Sequence, residues 1–184
     1  MANAAGSEIV VGVGDCAVAS LPNSFIATYA LGSCVAVVAW DWKAKVGGML
    51  HAMLPDSAID RSRAVATPFV YVDTGVPELF RRLEERGGSR RRARCCVAGG
   101  ASMMLDPARF EIGKRNCLAA RKAFWKLGVF IDQEDVGGTE TRSLRVDLAT
   151  GQIDLRKGSA PGRVFVPGSI SLIGKGQNDA RIDR

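Results

Sequence analysis

The chain has 184 residues, 47% of them hydrophobic, with 25 Lys and Arg against 19 Asp and Glu and a formal net charge of +6. That is enough apolar material for one domain with its own core, without staples. No run of about 18 apolar residues occurs, which excludes a helical membrane span. The opening Met1–Glu8 has no basic region followed by an apolar one, so no secretory signal and a cytoplasmic location are expected.

In chain order, Ile9–Val13 reads as a first strand, turned by Gly14 and Asp15. Residues 17–28 read as a strand broken at Pro22–Asn23. Cys34–Trp40 is rich in β-branched residues and reads as a strand. Asp41–Lys45 makes a connection of hairpin length, and Val46–Leu54 is the returning strand. Pairing these two antiparallel brings Cys34 and His51 to the same end of the ladder. Pro55–Pro68 reads as a polar loop of the kind that forms lids or recognition elements.

Val76, Leu79, Phe80 and Leu83 recur at helical spacing and predict a helix over 73–85, ended by Gly87–Gly88. A short strand over 94–98 leads into Gly99–Gly100–Ala101. A second helix is predicted over 113–127, closed by Gly128, and a strand over 129–135 before Gly137–Gly138. Residues 143–148 and 152–156 read as a hairpin, and Val164–Val166 as an edge strand. Disorder is expected from Gly174 onward. The pattern predicts an α+β fold of mainly antiparallel strands covered by two helices. It fits one domain over 1–158, followed by a variable, partly disordered tail over 159–184.

The five cysteines (Cys16, Cys34, Cys95, Cys96 and Cys117) form no paired framework. With a single histidine they make neither a disulfide scaffold nor a zinc site expected. Arg81, Arg82, Arg86, Arg90, Arg91, Arg92 and Arg94 concentrate the positive charge. They read as a solvated helix end and loop, or as a face that steers an acidic protein. The absence of interleaved aromatics weighs against nucleic acid.

Cys34 follows Leu31-Gly32-Ser33 at the mouth of one apolar strand, and His51, the only histidine, lies in the next. Thiol and imidazole on neighbouring strands are the minimum for cysteine-based acyl transfer. Gly32 and Ser33 set Cys34 where backbone N–H groups converge on a developing oxyanion. Gly47 and Gly48 permit close approach of a backbone or a substrate just before the histidine. Thr28 is a candidate to orient the imidazole. Each residue has a second reading: a cysteine in an apolar strand as core, and a histidine amid Met and Leu as a satisfied core residue. Spacing alone leaves both open.

Longer motifs carry a resemblance. Val11-Gly-Val-Gly-Asp15, Thr28-x-x-Leu-Gly-Ser-Cys-Val-Ala-Val37, Gly47-Gly-Met-Leu-His-Ala-Met-Leu-Pro55 and Tyr71-Val-Asp-Thr-Gly75 are four of them. Gly99-Gly-Ala-Ser-Met-Met104, Ile112-Gly-Lys-Arg-Asn116 and Glu134-Asp-Val-Gly-Gly138 are the others. In this order, over roughly residues 9–156, they resemble the CheD-type chemoreceptor glutamine deamidases. The resemblance implies a layered β-sandwich with helices packed outside, similar to toxin-type cysteine deamidases. It implies Cys34 as nucleophile, His51 as general base and Thr28 as the residue that orients it. It further implies glutamine-to-glutamate conversion on chemoreceptor cytoplasmic domains through a thioester, with ammonia released and no cofactor or metal. A CheC-type phosphatase is an implied partner. Two alternatives stay open: an adaptor that binds receptors or such a phosphatase with little catalysis, and another cysteine hydrolase, such as a receptor methylesterase, on the same scaffold.

Overall fold

Every residue of Val35–Asp41 is buried, and so is every residue of Val46–Ala52. Strands covered on both faces must lie in the middle of the molecule. The computed structural model describes residues 7–20, 24–102, 107–160 and 162–165, the side chains of 107–110 and 163 excepted. Its strands are β1 (Glu8–Val10), β2 (Asp15–Ala19), β3 (Phe25–Leu31), β4 (Val35–Asp41), β5 (Val46–Ala52), β6 (Ala93–Gly99), β7 (Gln133–Val136), β8 (Arg142–Asp147), β9 (Ile153–Lys157) and β10 (Arg163–Phe165). The α-helices are α1 (Arg61–Ala66), α2 (Val72–Glu85) and α3 (Pro107–Leu127). The turn at Pro22–Asn23 and the tail from Gly174 lie outside the described residues.

Two five-stranded sheets form, in the orders β1-β3-β8-β9-β10 and β2-β5-β4-β6-β7. The second is the central layer. Alternation along β4 sends Val35, Val37 and Ala39 into one core with Val76, Leu79, Phe80 and Leu83 of α2 and Ala120 and Phe124 of α3. It sends Ala36 and Val38 into another core with Ile26, Leu31, Leu144, Val146 and Leu155 of the first sheet. The result is the expected α+β sandwich of mainly antiparallel strands with helices packed outside. Among the described strands the exceptions to antiparallel pairing are β1 with β3 and β6 with β7, and a single parallel bridge joins Leu54 to Tyr71.

Boundaries differ where the local signal is not hydrophobic periodicity. The stretch expected as a loop over 55–68 contains a 3-10 turn, Ser57–Ile59, and α1, each started by an aspartate. Asp56 accepts from the Ala58 N–H and Asp60 from the Arg63 N–H. The second main helix begins at Pro107 rather than 113. The strand expected over 129–135 is confined to Gln133–Val136. The edge strand expected over Val164–Val166 is present as β10, antiparallel to β9, with residue 166 outside the described residues.

The arginine-rich stretch is largely paired within the protein. Arg81 meets Glu78 and Glu85, Arg90 meets Glu84 and Arg94 meets Asp132. Arg92 lies 2.6 Å from the buried Asp41 carboxylate, which also accepts from the Ser89 N–H at 2.8 Å. Burial alone would raise that carboxyl; Arg92 and three backbone N–H groups outweigh it and hold it below its ordinary range. No described helix is long and apolar enough to cross a membrane.

Where α3 crosses the loop after β6, glycines face each other. A Cβ on Gly113 would stand 2.7 Å from the Gly100 carbonyl oxygen and 2.8 Å from that of Ala101. In open helix, Gly→Ala stabilises by up to ~1 kcal/mol. Here the obstruction is backbone, so Gly113→Ala is expected to cost about 1–3 kcal/mol instead. Urea unfolding reads the sign directly.

Candidate active site

β5 carries His51 into the space between the two sheets. Its register partners are Ala36 on β4 and Asp15 on β2. Cys34 stands just before β4, two residues from Ala36 and on the same face, packed against the same inter-sheet core. Thiol and imidazole are therefore diagonal neighbours across one antiparallel rung, a spacing of about 7 Å between Cβ atoms that an imidazole can bridge. Cys34 is half-buried, whereas the other four cysteines are buried.

The imidazole is 2% exposed. Its Nδ1 lies 2.8 Å from Thr28 Oγ1, which reaches it from β3 in the opposite sheet. The same hydroxyl donates to the Val11 carbonyl oxygen at 2.7 Å. A hydroxyl has one proton, and Val11 takes it, so Thr28 accepts and Nδ1–H donates. Neutral His51 thus carries its proton on Nδ1 and leaves the lone pair on Nε2, a buried atom without a hydrogen-bond partner. A buried unpaired acceptor of this kind costs about 1–3 kcal/mol and marks a group held for use rather than for stability.

Burial drives both groups towards neutrality. Desolvation raises the Cys34 thiol, partly opposed by the residue's own backbone N–H. Desolvation lowers His51 from 6.5, partly opposed by the Val11 carbonyl. The resting pair is thiol and imidazole, not thiolate and imidazolium. Cys16 and Cys96 are pushed by burial to about 12, which makes them inert at neutral pH.

The loop before Cys34 is held from behind. Gly32 O accepts from the Ala101 N–H at 2.8 Å and Cys34 O from the Gly100 N–H at 2.7 Å. Gly99, at φ +113, allows this approach, since a Cβ there would come within 2.3 Å of the Cys34 carbonyl oxygen. Gly32 and Ser33 form the turn that is held there beside Cys34. Gly47 and Gly48 do not lie beside it. They sit four and three residues before His51, opposite Trp40 and Ala39. A Cβ on Gly47 would strike Leu148 at 2.5 Å, and one on Gly48 would strike Leu79 at 2.7 Å. Their lack of side chains lets the first sheet and α2 close on β5, which is a packing role.

One residue not singled out from the sequence reaches this site. Asn116 of α3, fully buried, places Nδ2 2.9 Å from both the Ser33 and the Met53 carbonyl oxygens. The available signal was its place at the end of the Ile112–Asn116 motif. Among the described residues no three His, Cys, Asp or Glu side chains group to hold a metal ion.

Comparison with known proteins gives the family. The family model described as CheD chemotactic sensory transduction matches residues 53–157, more than half of the chain. A Solibacter usitatus protein named probable chemoreceptor glutamine deamidase CheD is 49% identical over 150 residues, covering 82% of this chain and 89% of that one. The chain belongs to the CheD family. CheD relatives from Syntrophus aciditrophicus (41% identity, 84% of this chain and 96% of that one) and Pyrococcus horikoshii (40%, 82% and 92%) bear the same functional name. The family-model match begins just past His51 and does not include Thr28, Cys34 or His51.

Two outcomes follow from the Thr28–His51 bond. Thr28→Val keeps the shape but removes both hydrogen bonds, and is expected to cost about 1–3 kcal/mol in urea and to release His51 from its single tautomer in 15N NMR. Because His51 has its pKa lowered by folding from 6.5, the unfolded chain binds the extra proton first. Its contribution to stability is complete above about pH 6.5 and is lost as pH falls through the folded value. The urea midpoint is expected to drop over that range in the wild type and not in His51→Gln.

Proposed function

We propose that this CheD-family protein deamidates glutamine side chains of chemoreceptors, with Cys34 as nucleophile and His51 as base. The observation that carries the chemistry is the unpartnered Nε2 of a buried imidazole, fixed in the right tautomer by Thr28 and diagonal to the half-buried thiol. The names of its relatives supply the substrate class.

Nε2 takes the thiol proton as sulfur attacks the carboxamide carbon. The Cys34 N–H, which already faces its own sulfur, is placed to stabilise the oxyanion, with Ser33 and Gly32 shaping the turn. The imidazolium returns its proton to the departing nitrogen, and ammonia leaves a glutamyl thioester. Water, deprotonated by Nε2, then attacks that thioester. The product is glutamate and the thiol is restored, with no redox partner or metal in the balance.

The test is mass spectrometry of receptor cytoplasmic fragments incubated with wild type, Cys34→Ala and His51→Ala. Conversion of glutamine to glutamate by wild type alone, with the two variants down by at least ~10³-fold, is the expected result. Unchanged glutamines, together with intact receptor binding by wild type and Cys34→Ala alike, would overturn it. That outcome would favour an adaptor that binds receptors or a CheC-type phosphatase. Release of methanol from methylated fragments, without ammonia, would instead identify an esterase.

A further inference from the structure

The ladder between β4 and β5 ends at Val35 opposite Ala52. Past that rung the two chains part. The Met53 and Leu54 N–H groups turn to the Val70 carbonyl oxygen, while the Gly32 and Cys34 carbonyls turn to the Ala101 and Gly100 N–H groups. Cys34 stands on one branch of this fork, one residue past the last rung, whereas His51 lies within the ladder, paired with Ala36 and two residues before Met53 on the other strand. The β4–β5 ladder fixes the backbone of His51 but stops one residue short of Cys34.

Asn116 spans the fork. Its Nδ2 sits 2.9 Å from the Ser33 oxygen and 2.9 Å from the Met53 oxygen. A primary amide has two N–H donors, and each branch receives one. The orientation is not interchangeable, because a flipped amide would set Oδ1 against two carbonyl oxygens. Oδ1 in turn is buried without a partner. A side chain that leaves its own acceptor unpaired to reach these two carbonyls is selected for the bridge, since an apolar residue would fill the space without that penalty. Its reach depends on the close crossing of α3 over the Gly99–Ala101 loop, where Gly100 and Gly113 leave no room for a Cβ.

We infer that Asn116 is a positioning residue: it holds the Ser33 and Met53 carbonyls together and so sets where Cys34 stands relative to the Nε2 of His51. This rests on the Cys34–His51 pair proposed above. It adds a residue from the helical layer to a site otherwise built from the two sheets. A misplacement of about 1 Å between nucleophile and base is enough to cost up to ~100-fold in rate.

The experiment compares wild type, Asn116→Ala, Asn116→Asp and His51→Ala. It reads deamidation of a receptor fragment and the pH profile of Cys34 alkylation by iodoacetamide, followed on the Cys34 peptide. Asn116→Ala is expected to lower kcat by ~10-fold or more with KM within about twofold, and to shift the alkylation profile towards that of His51→Ala. In Asn116→Asp the carboxyl faces two carbonyl oxygens, which favours its protonated form, and that form donates one of the two lost bonds. The ratio of its kcat to wild type should rise as pH falls from about 8 to about 6, while the Asn116→Ala ratio stays flat. Should the alanine variant not fold, Asn116→Asp near the lower pH carries the comparison. Wild-type kcat in either folded variant, a pH-flat Asp ratio, or losses that only track the unfolded fraction would overturn the inference. Failure of the pair itself is separable: His51→Ala would then leave the alkylation profile unchanged, whatever Asn116 does.

Discussion

The site depends on one hydrogen bond that crosses between layers, from Nδ1–H of His51 in the central sheet to the Thr28 hydroxyl in the other sheet. A nearly unexposed imidazole needs a partner for its N–H; its rung neighbours are Ala36, which has no polar side chain, and Asp15, whose carboxylate accepts from the Cys16 N–H. The partner therefore has to come through the core from the facing sheet. That makes the packing of the two sheets a precondition for the base. The Val11 carbonyl completes the arrangement by taking the hydroxyl proton, so that Thr28 can only accept. Three backbone segments, 11, 28 and 51, thus agree on the position of one proton.

Closing the sheets and helices tightly enough for such contacts is what the glycines accomplish. Gly47 and Gly48 alternate faces on β5, one meeting Leu148 of the sheet side and the other Leu79 of α2. Gly99, Gly100 and Gly113 do the same where the loop after β6 passes between Cys34 and α3. A methyl group at any of these would move a whole layer, because the obstructing atoms are backbone or fully buried side chains in a close-packed interior. Arg142, 1% exposed and paired with Asp135 at 2.7 Å, ties β8 to β7 across the two sheets at the edge of the same interface.

Much of this was legible in the residues. β4 and β5 declared themselves by β-branched and apolar runs, and the hairpin connection implied the register that sets Cys34 beside His51. α2 followed from Val76, Leu79, Phe80 and Leu83. What escaped had no periodic signal. α1 is six residues long and rests on aspartate caps, below the length at which an apolar stripe is visible. The first turns of α3 lack a clear stripe. The parallel pairing of β1 with β3 is a long-range choice that three residues cannot encode. Gly47 and Gly48 read as allowing either a backbone or a substrate to approach, because the same absence of a Cβ serves a packed layer and a bound ligand equally. Asn116 was invisible for the opposite reason, since a polar residue on a helix reads as exposed until tertiary structure buries it. Of the arginines of 81–94, Arg81 and Arg82 lie in the last turns of α2 and Arg94 in β6, and the pairing of Arg81, Arg82, Arg90, Arg92 and Arg94 with Glu78, Glu84, Glu85, Asp41 and Asp132 engages much of the run's charge within the protein.

The charge state of the pair explains how such a buried site stays both quiet and ready. An ion pair of thiolate and imidazolium would need solvation that this position, packed between two sheets, does not supply. Burial raises the thiol and lowers the imidazole, so the proton rests on sulfur and Nε2 keeps its lone pair. A neutral thiol is a poor target for oxidants and alkylating agents, and half-burial restricts their access further. In the proposed reaction, attack requires a bound amide that places its carbonyl oxygen against backbone N–H groups, so that negative charge leaving sulfur is received at once by an oriented acceptor. Reactivity is created by substrate and not stored beforehand. In the proposed deamidation, this restraint follows from where the fold puts two side chains.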